Sequence, residues 1–150
     1  MKPTTPFDPA EGLAWVRRRG GGALAEKMGI EWVEFTPERA IATMPVEGNT
    51  QPVGLLHGGA YVVLAESLGS MHANLLATLA SGAGTRLAVG VDINATHTRS
   101  AVSGLVTGIC TPLHAGRSLA VHEIVVRDED GRRCSTVRIT NLIKELPAAG

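Results

Sequence analysis

Residues 39 to 46 alternate strictly: Ala40, Ala42, Met44 and Val46 fall on one side, Arg39, Ile41 and Thr43 on the other. A period of two marks a strand with one covered face. A second β-rich run, 30–35, precedes it, and Thr36-Pro37-Glu38 between them reads as the turn of a hairpin. Upstream, Asp8-Pro9 followed by residues 10–19 has the form of an N-capped helix with proline in its first turn. Gly20-Gly21-Gly22 breaks that helix, 23–28 adds a short turn, and 48–54 is a polar loop. From 59 to 79 the pattern changes, with apolar side chains on nearly every helical face, as expected of a buried helix. Ser81-Gly82-Ala83-Gly84 ends it. Four β-type runs follow at 85–97, 105–113, 118–128 and 132–144, the last two joined by the turn Asp128-Glu129-Asp130-Gly131. In the first of them Asp92 and Asn94 alternate with Val91 and Ile93 in an ordinary strand pattern.

Strands in runs, without helices between them, predict an antiparallel sheet and hence an α+β fold. The economical arrangement curls about six strands around the one long helix. Six strands cannot enclose a helix on every side, so its remaining face is expected to meet a second subunit. No repeat or linker divides the chain, which reads as a single domain over 1–150 with 1–28 as a helical extension.

Composition narrows the function. Lys plus Arg and Asp plus Glu number 14 each, and aromatics are 3% of residues, so neither a basic field nor stacking platforms favour nucleic acid. The apolar stretch 59–80 is interrupted by Glu66, His72 and Asn74, against a membrane span, and 1–9 carries three prolines instead of a signal pattern. Cys110 and Cys134 sit in strand-like runs and read as reduced core thiols of a cytoplasmic protein. His97, His114 and His122 lack metal-like spacing, and the cysteines form no CxxC, so no metal is expected.

The candidate chemistry lies in 51–70. Glu66 is an ionisable group among Tyr61, Val62, Val63, Leu64, Ala65 and Leu68, and such a group needs partners or a purpose. Ser70, four residues on, shares its face. His57-Gly58-Gly59 stands at the helix start, where N–H groups without intrahelical partners can bind a developing oxyanion. A carboxylate and free N–H groups are two halves of a site that attacks a carbonyl. Eight residues separate Gly58 from Glu66, about 12 Å of helix rise. Two chains with antiparallel helices could join the halves, which predicts a dimer with two equivalent shared sites. Taken singly, His57 is also a common helix cap, Gly58-Gly59 a common turn, and Gln51 carries no signal.

Together, Gln51, Gly54-Leu55-Leu56-His57-Gly58-Gly59-Ala60, Leu64-Ala65-Glu66-Ser67 and Ser70 resemble the hotdog-fold acyl-CoA thioesterases. The branch is that of the Arthrobacter-type 4-hydroxybenzoyl-CoA thioesterase and 1,4-dihydroxy-2-naphthoyl-CoA thioesterase. The likeness continues through residues 90–100, 112–118 and 130–134, and spans roughly 28 to 144.

That resemblance implies a hotdog fold and hydrolysis of an acyl-CoA, with aryl or hydroxyaryl acyl groups favoured over long fatty chains. It places Glu66 as base or nucleophile and the Gly58 N–H on the thioester carbonyl. Gln51 and His57 would orient the carbonyl and its water, and Ser70 would hold the hydrolytic water. The coenzyme A arm would meet Gly90, the run His97, Thr98, Arg99 and Ser100, and the run His114, Ala115, Gly116, Arg117, Ser118 and Leu119. No cofactor is implied, since coenzyme A belongs to the substrate. The expected assembly is a homotetramer, a dimer of dimers, although the sequence leaves the second pairing open. Two rivals remain at this stage: a hotdog dehydratase, whose usual His-Phe-Pro-Gly stretch is missing here, and a non-catalytic acyl-CoA-binding protein.

Overall fold

In a computed structural model, which describes residues 7–148, the local signals act where the sequence places them. The Asp8 carboxylate accepts from the Ala10 N–H at 2.9 Å, Pro9 opens helix α1 (Pro9–Arg19), and Gly20 closes it at a φ of 73°. A short helix α2 (Gly22–Lys27) follows. Strands β1 (Glu31–Phe35) and β2 (Ala40–Pro45) form the expected hairpin, with the Thr36 N–H on the Arg39 carbonyl at 2.9 Å. Ala40, Ala42, Met44 and Val46 all lie in the core.

After the long helix α3 (Gly58–Ser81) come β3 (Arg86–His97), β4 (Leu105–Ala115), β5 (Leu119–Arg127) and β6 (Arg133–Glu145). The six strands form one antiparallel sheet in the order β1-β2-β4-β5-β6-β3, so β3, with twelve residues, is an edge. The β5–β6 turn is fixed by Asp128, whose Oδ1 accepts from the N–H groups of Asp130 and Arg132, and by Gly131 at a φ of 75°.

One face of α3 packs against β2, β3, β4, β5 and β6. Leu64, Leu68 and Leu75 meet a sheet surface that includes Val106, Ile124, Val137 and Ile139. The approach is close because two residues lack side chains. A Cβ on Gly69 would overlap Cγ2 of Ile139, and one on Gly108 would come within 2.7 Å of Cδ1 of Leu68. A glycine inside a helix ordinarily costs about 1 kcal/mol relative to alanine; here it lets the helix sit against β6. By length and hydropathy α3 could cross a membrane, yet Leu64, Leu68 and Leu75 are spent on this sheet.

Burial of α3 is one-sided in the chain, as six strands around one helix predict: Val62, Val63, Glu66, Ser67, Ser70 and Met71 are only half-buried. The sheet covers one side of the helix and leaves this stripe open. The structure departs from the sequence reading at β3, where the expected alternation is interrupted. Its register with β6 slips between Gly90, opposite Asn141, and Asp92, opposite Thr140, which leaves Val91 without a partner and 57% exposed. This is a β-bulge. Ala88 faces inward before it, whereas Ile93 and Ala95 pack on the core after it.

Cys110 and Cys134 are free and buried, as read from the sequence. Cys110 also lies near two core histidines, His72 of α3 and His122 of β5, which sequence spacing does not connect to it. Nδ1 of His72 and Nε2 of His122 are 2.9 Å apart, and Nε2 of His72 is 2.7 Å from the Thr36 carbonyl. A carbonyl only accepts, so His72 carries its proton on Nε2 and accepts from the His122 N–H. Among the described residues His122 Nδ1 has no partner. The close pair of ring nitrogens is a hydrogen bond between two neutral imidazoles.

Burial pushes His72 below its ordinary value, and burial with the neighbouring His72 pushes His122 down to about 3. Both rings regain an ordinary value of about 6.5 on unfolding. The unfolded chain therefore binds more protons below about pH 6.5, and stability falls as pH drops from there toward 3, by up to about 1.4 kcal/mol per unit from His122, with His72 acting in the same direction. Thermal unfolding between pH 7 and 4 should show this loss, and a variant with both histidines replaced by leucine should show a flatter slope.

Candidate active site

The start of α3 is shaped by its cap. His57 is the N-cap, with extended backbone (φ −61°, ψ 131°), and its Nδ1 accepts from the Gly59 N–H at 2.9 Å. The Ala60 N–H is taken by the His57 carbonyl at 2.8 Å. The Gly58 N–H has no acceptor in the hydrogen bonds of the described residues, so one donor is left pointing out of the helix end. His57 thus has a structural duty that the motif alone did not separate from a chemical one.

That free donor borders a cleft of about 380 Å³ lined by Gln51, Leu55, Gly58, Tyr61, His97 and Arg99, with Thr98 and Ser100 at its edge. Gln51 is held by a tight loop in which its Oε1 accepts from the Val53 N–H and its N–H donates to the Leu55 carbonyl. His97 stacks on Tyr61 with ring centroids 5.0 Å apart, and its Nδ1 is 2.9 Å from the Ser135 hydroxyl. A Cβ on Gly58 would stand 3.1 Å from His97 Nε2, so this imidazole lies directly over the helix start. The Tyr61 hydroxyl accepts from the Ala101 N–H at 3.2 Å and reaches the Arg99 carbonyl at 3.4 Å, which ties the 99–101 segment to α3. Burial pushes this phenol up to about 12, so it stays protonated as a clamp.

Glu66 belongs to a different group two turns further along. Its Oε1 fills the space a side chain would take at Gly90; any Cβ there would overlap the carboxylate. Gly90 therefore serves as a cradle for Glu66 on the edge strand. Ser70 is fixed from both sides: its carbonyl accepts from Asn74 Nδ2 at 2.8 Å, and its hydroxyl accepts from Asn141 Nδ2 at 2.9 Å. Asn74 also pairs with the N–H and carbonyl of Ala88, joining α3 to β3. Asn141 and Ser135 were not singled out from sequence, where an isolated polar residue in a strand carries no spacing signal, and Asn74 entered it as a break in the apolar stretch, without its partner.

The candidate residues thus fall into separate places within one chain. Gln51, Gly58 and 97–100 share the cleft; Glu66, Ser70 and Gly90 form the carboxylate group. The run 114–119 lies at the β4–β5 turn, where Ala115 and Gly116 border a small cleft with Leu76, Ala77, Ala80 and Arg86 beside the C-terminal half of α3. Arg117 is 80% exposed and sits 3.6 Å from Glu145. Arg132 is engaged at the β5–β6 turn by Asp128 and Asp130, both at 2.9 Å, and Arg133 donates to Thr136.

A long apolar helix wrapped on one side by a six-stranded antiparallel sheet, with a carboxylate on its open stripe and a free N–H at its start, defines a hotdog-fold enzyme. The chain belongs to the thioesterase superfamily, whose family model matches residues 53–135. It is 46% identical over 123 residues to the proofreading thioesterase EntH of Cronobacter turicensis, covering 81% of this chain and 86% of that one. It is equally 46% identical, over 125 residues, to the 1,4-dihydroxy-2-naphthoyl-CoA hydrolase of Escherichia coli K12, with 83% and 88% covered. The fold matches a crystal structure of a thioesterase from Haemophilus influenzae with a TM-score of 0.81 at 34% identity, over 95% of this chain and 94% of that one. The chain is a thioester hydrolase.

Gly90→Ala should push the Glu66 carboxylate from its cradle without disturbing the core. Thioester hydrolysis, followed by release of free thiol, should fall roughly ten- to hundredfold while the melting temperature holds.

Proposed function

We propose that the chain hydrolyses an acyl-CoA to the free acid and coenzyme A, with Glu66 of one subunit and the Gly58 N–H of its neighbour acting on one carbonyl. Aryl or hydroxyaryl acyl groups are the proposed substrates, in line with the naphthoyl-CoA hydrolase among the relatives. The observation that carries the shared-site reading is the separation inside one chain. The Gly58 N–H, without an acceptor among the described residues, borders one cleft, and the carboxylate lies two turns away against Gly90.

In this reading Glu66 takes a proton from water, and the water oxygen attacks the thioester carbon. The carbonyl oxygen gains negative charge and is held by the Gly58 N–H at the positive end of α3. The C–S bond then breaks, and the departing thiolate is protonated by the carboxyl of Glu66. Direct attack by Glu66 through an anhydride is the variant of this scheme that the same residues allow. Gln51 would orient the carbonyl beside Gly58, and His57 would act mainly by capping the helix that carries the donor. His97 to Ser100 line the mouth of the cleft, and the exposed Arg99 and Arg117 suit the phosphates of coenzyme A. The run His114 to Leu119 would reach the coenzyme A arm only from another subunit, since it lies far along α3 from this cleft.

The half-buried stripe on α3 and the free edge of β3 are the surfaces through which a second copy would dock. A homotetramer, built as a dimer of dimers, is the proposed assembly. Free buried thiols fit a cytoplasmic setting.

Glu66→Gln should lower the turnover number at least about a hundredfold on an aryl-CoA substrate. Gly58 occupies the first position of α3, after a residue whose backbone suits a following proline, so Gly58→Pro should delete the N–H while keeping the helix. Each variant alone should be inactive. Mixed and reassembled, they should recover about a quarter of the wild-type rate, since half the dimers would be mixed and each would hold one intact site. Mixed dimers without activity would show that the site is built within one chain.

A further inference from the structure

Asn141 is a polar residue where the fold calls for an apolar one. It sits on β6 two residues after Ile139, fully buried, opposite Gly90 on one side and Ala120 on the other. Its Nδ2 donates to the Ser70 hydroxyl at 2.9 Å, whereas its Oδ1 is buried with no hydrogen-bond partner among the described residues. A buried amide that satisfies only one end is a poor choice for stability, because the bare carbonyl gives up its bonds to water and gains none. Leucine or valine would fill the position without that penalty.

The direction of the bond matters for what Ser70 can do. A hydroxyl has one hydrogen and two acceptor positions. Asn141 fills an acceptor position, so the hydrogen of Ser70 is left to donate elsewhere. The backbone of Ser70 is held independently by Asn74, which ties this turn of α3 to Ala88 of β3. Ser70 is half-buried on the same helical face as Glu66, one turn away, and Gly90 closes the space opposite the carboxylate.

We propose that Asn141 is a positioning residue for thioester hydrolysis: by occupying an acceptor site of Ser70 it turns that hydroxyl into a donor toward the hydrolytic water beside Glu66. The water then accepts from Ser70 and gives its own hydrogen to Glu66, leaving a lone pair for the carbonyl carbon. The proposal rests on the reading of Glu66 as the group that activates water. It adds a residue 71 positions from Ser70 in the chain, on a different element and with no contact to substrate.

Two substitutions separate positioning from packing. Asn141→Asp keeps the shape but can only accept when ionised, so it draws the Ser70 hydrogen onto itself. Asn141→Leu removes the unsatisfied carbonyl and should leave the melting temperature equal or higher. Both should lower kcat about tenfold with KM changed less than about twofold, the pattern of a group that matters in the transition state. In a Ser70→Ala background, neither should lower kcat further. Wild-type kcat in Asn141→Leu, or losses that multiply with Ser70→Ala, would overturn the proposal, as would an unimpaired Ser70→Ala enzyme. Glu66→Gln is measured in the same assay: full activity there would refute the base reading itself, a result distinguishable from failure at Asn141.

Discussion

Helix α3 carries more apolar surface than one six-stranded sheet can cover, and the other features of the molecule follow from that imbalance. The sheet takes Leu64, Leu68 and Leu75 and leaves the stripe through Val62, Glu66 and Met71 half-buried. A carboxylate is admissible on such a stripe, since it is neither sealed in the core nor lost in solvent. Close packing on the covered side needs glycine at 69 and 108, and the cradle for the carboxylate needs glycine at 90. Three glycines of no obvious kinship in sequence are thus parts of one helix-to-sheet fit.

Donors in this site come from the backbone and from amides more than from charged side chains. His57 consumes one helix N–H and thereby isolates its neighbour at Gly58, while Asn74 and Asn141 fix the turn that bears Ser70. Ionisable groups buried elsewhere are kept neutral: the His72–His122 pair by desolvation, and Tyr61 by burial behind the 99–101 segment.

Much of this was legible in sequence because its causes are local. The Asp8 cap, the alternation in β2, the Asp128–Gly131 turn and the even apolarity of α3 each act within a few residues, and each element formed within a few residues of its expected bounds. The motif around Glu66 and Gly58 stood out as a candidate site for the same reason: its residues lie within twenty positions of one another. Contacts set by strand register were not. Ser70 and Asn141 are 71 residues apart, His72 and His122 are 50 apart, and nothing in the local pattern of either strand marks its polar residue as special. For Tyr61, a ring in an apolar helical run reads as a pocket wall or as packing, and the bonds of its hydroxyl to the 99–101 segment are not visible in sequence.

The bulge at Val91 has a consequence for how the edge strand can vary. In an unbroken strand a residue and its seventh successor face opposite sides, so β3 could not present both Gly90 to Glu66 and His97 to Tyr61. The one unpaired residue shifts the phase midway, and the same strand serves the carboxylate with its first half and the helix start with its second. The strand therefore behaves like a reading frame. Its outward side chains between these points can drift, but a single insertion or deletion among them would turn one half of the strand inside out and disconnect the two.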